Sequence, residues 1–414
     1  LAERKTFVVI GGGAAGFFCA VNAARLNPSL HVMILEKSDK LLSKVKISGG
    51  GRCNVTHGLY KISELIKRYP RGTELLQKSL KIFGPTQTVA WFEERGVILK
   101  TEDDGRLFPV SDRSQTIIDC LLAECETYGV HVRVQMPVIS LHKQDGYWQV
   151  GTKNGEILKA DYVCIACGGY PNLTQFAWLQ GLNHPVIDPV PSLFTFNIPH
   201  SPLKNLMGVA VPDVTISIEG TGWKQRGPML ITHWGLSGPA ILKLSAYAAR
   251  ELHERNYSFT IRVHWVPEYH ETALYHQLSL WRSEKSTQKI SNRNPVQLPT
   301  RLWEWLLNLA GITENDRWAD LRSIAQHTLC RLLTGQSFEV QGKTTFKEEF
   351  VTAGGIATEQ INPTTMESRL HRGLYFAGEI LNVDGITGGF NFQHAWSSGF
   401  VVAQALASLN NELD

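Results

Sequence analysis

Three glycines and one acid are the first residues whose types and spacing could do chemistry. Gly11-x-Gly13-x-x-Gly16 follows the apolar run Thr6-Phe7-Val8-Val9-Ile10 and opens a helix-forming stretch, Ala14–Leu26. The first glycine allows a tight turn. The second lets the backbone approach a pyrophosphate, and the third lets helix and strand pack closely. The N–H groups of the helix N-terminus then face the phosphate charge. Glu36 ends the next apolar run, 31–35, and lies 20 residues after Gly16. There a carboxylate can accept hydrogen bonds from ribose hydroxyls. Strand, glycines, helix, strand and acid fall in order, which predicts a dinucleotide site on a βαβ unit.

Distant segments decide which dinucleotide. The strand-like run 163–166, ending in Ala166, leads into Cys167-Gly168-Gly169. A late run ends in Phe376-Ala377-Gly378-Glu379, and Gly388-Gly389 precedes the last helical stretch. A long, extended cofactor needs contacts this far apart, so FAD is expected. Glu379 is placed to hold ribityl hydroxyls. The turn at Gly388 and Gly389 offers N–H groups to the negative charge of a reduced flavin near N1 and the C2 carbonyl. The segment Ser48-Gly49-Gly50-Gly51-Arg52-Cys53-Asn54 has three glycines, which let a ring or phosphate come close. Arg52 and Lys44 are expected to pair with phosphates. Cys53 and His233 are the candidate acid or redox groups, each weighed against simple packing. His394, in the last helical stretch, reads as a packing residue.

The elements that must position these residues follow from periodicity and turns. Runs at 130–134, 138–142, 147–150 and 161–166 read as strands, with Asp145-Gly146 and Asn154-Gly155 as hairpin turns. Residues 37–56 read as a loop and 61–128 as mostly helical. Pro185, Pro189, Pro191, Pro199 and Pro202 crowd one segment and suggest a domain crossing. Beyond it, 214–218 and 259–263 read as strands, 240–250 and 317–333 as helices. The glycine-rich pattern returns near residue 373, and 392–409 reads as the final helix. The expected organisation is therefore a split domain, 1–189 with 351–414, and an inserted domain, 190–350. Trp281, Trp303, Trp305 and Trp318 fall at helical spacing in the insertion and read as core.

Composition narrows the class. The 414 residues exceed one compact core, and 43% hydrophobic with 19% charged residues is ordinary for a globular chain. The net charge is +3, but residues 1–100 hold 16 Lys and Arg against 7 Asp and Glu, leaving +9 there and −6 elsewhere. Such a quarter attracts a phosphate-bearing cofactor or a polyanion such as RNA, or is simply a solvated face. Seven scattered cysteines do not make a disulfide framework. Cys164 and Cys167 lie in a buried-strand context without a second CxxC, so no metal site is expected. The apolar stretch 7–21 is broken by glycines, and no run approaches the ~20 apolar residues of a membrane span. The chain reads as cytoplasmic.

These residues resemble the BaiN/YhiN-like (BaiN/RdsA) family of FAD-dependent flavoproteins. The resemblance rests on GGGAAG (11–16), SGGGRCNVT (48–56), GRLFPVSDRS (105–114), ACGGYPN (166–172), THWGLSGPA (232–240), TAGGI (352–356), INPTTMESRL (361–370) and GLYFAGEILNVDGITGGFNFQHAWSSG (373–399). It implies an α/β fold: a discontinuous, glutathione-reductase-like Rossmann FAD-binding domain with an inserted mixed β/α domain on the substrate side. It also implies FAD contacts along these segments. The expected set is Gly11, Gly13, Ala14, Ala15, Gly16, Glu36 and Lys37, then Lys44, Ser48, Gly49, Gly50, Gly51, Arg52, Cys53 and Asn54. Val138 near the adenine, Ala166, Gly168, Gly169, Gly378, Glu379, Asp384, Gly388, Gly389, Phe390 and Asn391 complete it. The sequence departs at Leu41-Leu42-Ser43, where a glycine-containing turn is expected.

The leading expectation is a reductase. NAD(P)H, docking transiently because no second GxGxxG is present, reduces the flavin, and N5 passes hydride to an electron-poor carbon–carbon double bond. Uridine in ribosomal RNA, giving dihydrouridine, and small enones are the acceptors considered. The alternatives are a flavin oxidase of a small amine and a non-catalytic flavin-binding protein that is RNA-associated or redox-sensing.

Overall fold

The computed structural model describes residues 4–199, 201–292, 294–345 and 351–409. The chain divides into two compact units, Leu1–Pro191 with Lys347–Asp414, and Ser192–Phe346.

The first unit is built on a five-stranded parallel sheet. Its strands are β1 (Thr6–Ile10), β2 (His31–Leu35), β3 (His131–Arg133), β4 (Tyr162–Ile165) and β5 (Leu374–Phe376), in the order β5-β4-β1-β2-β3. The central strands are apolar without alternation, the pattern of a parallel sheet covered on both faces. Helix α1 (Ala14–Leu26) follows β1, and α2 (Phe390–Ser408) closes the described chain and packs along α1. Their close approach depends on glycine. A Cβ at Gly399 would lie 2.8 Å from the Ala15 carbonyl oxygen. Phe18 of α1 fills the space beside them, its ring 5.2 Å from Trp396 and 4.6 Å from Trp91. A three-stranded antiparallel meander, Val138–Gln144, Tyr147–Thr152 and Ile157–Ala160, connects β3 to β4. Its first turn has Asp145 and Gly146 both at positive φ, as a two-residue hairpin requires.

The second unit carries a seven-stranded antiparallel sheet. In spatial order the strands are Gln336–Gln341, Ser258–His264, Ala210–Ile218, Lys224–Ile231, Gly235–Ser237, Thr195–Asn197 and Lys343–Thr344. Trp281, Trp303 and Trp318 are buried in its core, and Trp305 packs partly buried against it. Two helical expectations divide. The stretch 240–250 is two helices, Pro239–Tyr247 and Ala249–Glu254, meeting at Ala248. The stretch 317–333 starts as a short turn, Trp318–Asp320, where Asp320 accepts the N–H of Arg317, and resumes as Ser323–Gly335.

Candidate cofactor and active site

The site is assembled at the C-terminal edge of the parallel sheet. Gly11 sits at φ +118°, and a Cβ there would lie 2.4 Å from the Ala166 carbonyl oxygen. One at Gly16 would lie 1.9 Å from the Gly11 carbonyl oxygen. These two glycines are required by the protein itself. At Gly13 a Cβ would meet nothing within 4 Å. The middle glycine thus opens onto free space, at the start of a helix whose N-terminus has no side-chain cap. A Cβ at Gly168 would also meet open space, whereas Gly169 packs on Thr352 and Glu379.

Glu36 is already anchored. Its Oε2 accepts from Gly12 N at 2.8 Å, and Oε1 accepts from Ser38 N and Oγ, both at 2.9 Å. A carboxylate has about four acceptor positions, so one, on Oε2, remains for a ribose hydroxyl. Met136 N donates to the Glu36 carbonyl at 2.8 Å, which draws the start of the meander, with half-buried Val138, alongside. Exposed Lys37 places Nζ 5.8 Å over the Tyr170 ring.

The second glycine cluster follows a helical turn beginning at Ser43, not a plain loop. Leu42 is left-handed, φ 53°, where the resemblance led to a glycine. Its buried side chain offsets a backbone cost of about 1–2 kcal/mol. Gly49, Gly50 and Gly51 continue at φ +58°, +69° and +83°, and the last two face open space. Arg52, expected to meet phosphate, lies 4.0 Å over Phe108 and pairs with Glu102 at 2.5 Å and Asp112 at 3.6 Å. Lys44 pairs with Glu379 Oε2 at 2.6 Å. Asn54 is buried. With its amide oriented to satisfy both ends, Oδ1 accepts from Gly389 N at 2.9 Å and Nδ2 donates to the Thr56 carbonyl at 2.9 Å.

The third cluster surrounds Glu379 and the N-terminus of α2. Glu379 Oε1 accepts from Thr352 N at 3.0 Å. Gly389, φ +90°, caps α2 without a side chain, so the first-turn N–H groups of Phe390, Asn391 and Phe392 have no capping side chain. Asp384 is fully buried and clamped through both oxygens by Arg71. The Asn391 side chain is tied to Gly385 at 2.8 and 3.0 Å. Phe390 stacks on His57 at 4.9 Å, and its carbonyl accepts from Tyr69 Oη at 2.7 Å. Two uncapped helix N-termini, glycines open to space, and a carboxylate near each fit a long, doubly charged dinucleotide.

Residues 5–405 match the HI0933-like protein Rossmann domain family. The chain belongs to the HI0933-like family. This is a family of FAD-dependent oxidoreductases. The relatives include the ribosomal RNA dihydrouridine synthase of Escherichia coli, 32% identical over 98% of both chains. The 3-dehydro-bile acid delta(4,6)-reductase of Clostridium scindens is 28% identical over 96% of this chain and 98% of its own. Among solved structures, a 3-ketosteroid delta1-dehydrogenase from Sterolibacterium denitrificans superposes with TM-score 0.52 at 13% identity, over 98% of this chain and 100% of that one. A 3-ketosteroid-delta4-(5alpha)-dehydrogenase from Rhodococcus jostii gives 0.51 at 12%, over 97% of each. At such identities the likeness is one of fold.

Within this HI0933-like chain, several expected contact residues serve the protein first. The side chains of Arg52, Asn54, Asp384 and Asn391 pin loops to one another. Cys53 is fully buried at φ 61°, and burial pushes its thiol up to about 12, which makes it a poor acid or nucleophile at neutral pH. Cys164 lies buried beside Cys19, and all seven cysteines are free. His233 is exposed at the tip of the hairpin turn joining Lys224–Ile231 to Gly235–Ser237 in the second unit, 4.0 Å from the Trp234 ring. Thr352 lies in the TAGGI segment, whereas His57 and Arg71 fall outside the segments that carry the resemblance. His57 directly follows the GRCNVT segment and was within reach. Arg71 pairs with a residue 313 positions away and carries no local signal.

Six of the 16 basic residues in the first hundred are ion-paired among the described residues: Lys44, Arg52, Lys67, Arg71, Arg95 and Lys100. Most of their partners, Glu102, Asp112, Glu124, Glu379 and Asp384, come from later in the chain. Much of the early positive charge is thereby neutralised. No helix among the described residues is long and apolar enough to cross a membrane.

Proposed function

We propose that the chain is a nicotinamide-driven reductase that saturates an electron-poor carbon–carbon double bond, with uridine in ribosomal RNA as its leading acceptor. The observation that carries the cofactor half is the pair of uncapped helix N-termini on one edge of the sheet. In this reading Gly13, Ala14, Ala15 and the N-terminus of α1 hold the pyrophosphate. Glu36 takes a ribose hydroxyl, Lys37 and Val138 flank the adenosine end, and Gly50, Gly51, Ala166 and Gly168 line the cradle. Glu379 holds ribityl hydroxyls, with Lys44 beside it. The first-turn N–H groups of α2, past Gly388 and Gly389, stabilise negative charge on the reduced ring. FAD held by these residues would supply two-electron hydride chemistry, with NADH or NADPH as the proposed reductant. His233 remains the candidate proton donor, and the inserted unit is assigned the substrate side. What favours double-bond reduction is that two relatives with unlike substrates, an RNA and a bile acid, are both named for saturating such a bond. The setting proposed is cytoplasmic.

Anaerobic stopped-flow mixing with NADH and NADPH tests this. The oxidised flavin band near ~450 nm should bleach rapidly, and a ribosomal RNA fragment should restore it. Failure of both nicotinamides to bleach the band would sink the reductase reading.

A further inference from the structure

Gly378 forms the turn between β5 and Glu379, at φ +74°. A Cβ there would come within 2.7 Å of Ala15 Cβ, in the first turn of α1. Helix α2 holds this glycine on both sides. Gly378 N donates to Ser398 Oγ at 2.9 Å, and its carbonyl accepts from His394 Nε2 at 3.2 Å. The two side chains are four residues apart and share one helix face. Ser398 gives its own proton to the His394 carbonyl at 2.6 Å, leaving its lone pairs for Gly378.

His394 is 2% exposed, and burial pulls its pKa down to about 4, so the ring is neutral at pH 7. A neutral imidazole has one N–H. The bond to Gly378 places it on Nε2 and leaves Nδ1 a bare acceptor. That Nδ1 is buried without a hydrogen-bond partner. A leucine would avoid this penalty. What the imidazole supplies in return is the bond to the Gly378 peptide, directly ahead of Glu379.

We propose that His394 is a positioning residue which, with Ser398, sets the Gly378 peptide so that Glu379 presents its carboxylate to the cofactor. The inference rests on the reading of Glu379 as a cofactor contact. At 2% exposed, His394 offers the cofactor almost no surface of its own. The other two groups on Glu379, Lys44 and Thr352 N, hold its oxygens but not its backbone.

The test is FAD affinity of the full-length apoprotein, measured by flavin fluorescence quenching, in a double-mutant cycle. His394→Leu should weaken binding about tenfold. His394→Gln, which keeps an N–H for Gly378, should stay within about threefold of the parent. In a Glu379→Gln background, His394→Leu should cost nothing further, because its route is gone. Ser398→Ala should show the same dependence on Glu379 and serves if His394→Leu does not fold. No rescue by glutamine, or an undiminished loss in the Glu379→Gln background, overturns the clamp alone. Glu379→Gln binding FAD as tightly as the parent overturns the assignment of Glu379, and the clamp falls with it.

Discussion

At Gly13 and Gly16 one residue type serves two ends. A methyl at Gly16 would collide with the Gly11 carbonyl oxygen, and backbone cannot yield as a side chain can. A methyl at Gly13 enters free space, and φ −95° there suits any residue. Gly16→Ala should therefore cost about 3 kcal/mol or more of folding stability. Gly13→Ala should leave the apoprotein within about 0.5 kcal/mol of the parent, yet weaken FAD about tenfold or more by blocking the approach of the pyrophosphate. Urea melts of the apoprotein beside FAD titrations separate the two, and equal stability losses would remove the distinction. The glycine motif was legible in the sequence because turn, helix start and acid are local. The duties of Arg52, Asp384 and Asn391 were not. Their types suit a cofactor, but their partners are set by loop packing, in Asp384's case to Arg71 at the far end of the chain. Cys53, a redox candidate weighed against simple packing in the sequence, is fully buried in the fold, and that burial pushes its thiol up to about 12.

At the scale of elements, the strands of the parallel sheet were legible from apolar runs bounded by glycine, to within a residue or two. The turn beginning at Ser43 was not, since Leu42 takes a backbone shape normally left to glycine and only its burial makes that tolerable. Strand β5, legible as an apolar run leading into a glycine turn, is held by contacts that periodicity does not show. It has three residues, and buried histidines tie down the segments on both sides of it. His394 holds the Gly378 turn after it. His184 Nε2 and Ser368 Oγ share a hydrogen bond of 2.8 Å in the segment before it, and the His184 ring lies 4.9 Å from Phe376. Burial brings both rings to about 4 from the ordinary 6.5, with His371 adding to the effect at His184. The folded state therefore binds fewer protons than the unfolded state between these values. Stability from the two groups is complete above pH 6.5, falls as the pH drops towards 4, and levels off below that. Each contributes up to about 3 kcal/mol to that fall. Urea midpoints of the apoprotein at pH 7.5, 6 and 5 should decline less steeply in His184→Gln and His394→Gln than in the parent. Parallel pH dependences in all three would contradict the assignment, since carboxylates contribute equally to each.

At the scale of the whole molecule, the proline-rich crossing near residue 190 and a return near residue 351 were both read from the sequence, but the pairing that joins the two points was not. The structure supplies a two-stranded sheet, Val186–Ser192 with Val351–Ile356. Ala357 N donates to the Pro185 carbonyl at 2.9 Å, and Gly354 lies against Asp188, where a Cβ would sit 2.5 Å from its carbonyl oxygen. The chain thus leaves and re-enters the first unit at neighbouring points, as an inserted domain requires. The second unit also has a core of its own, closed around Trp265, Trp303 and Trp318. Replacing residues 192–350 with a short Gly-Ser linker should therefore leave a soluble first unit, with the sheet, both helix N-termini, Glu36 and Glu379 retained. Its FAD affinity should stay within about tenfold of the parent, because the closing loop is short and its entropy cost modest. Reduction of any acceptor should be lost, since His233 and the proposed substrate side are removed. A soluble, folded product that no longer binds FAD would show that the insertion supplies cofactor contacts, and the division of labour between the units would have to be redrawn.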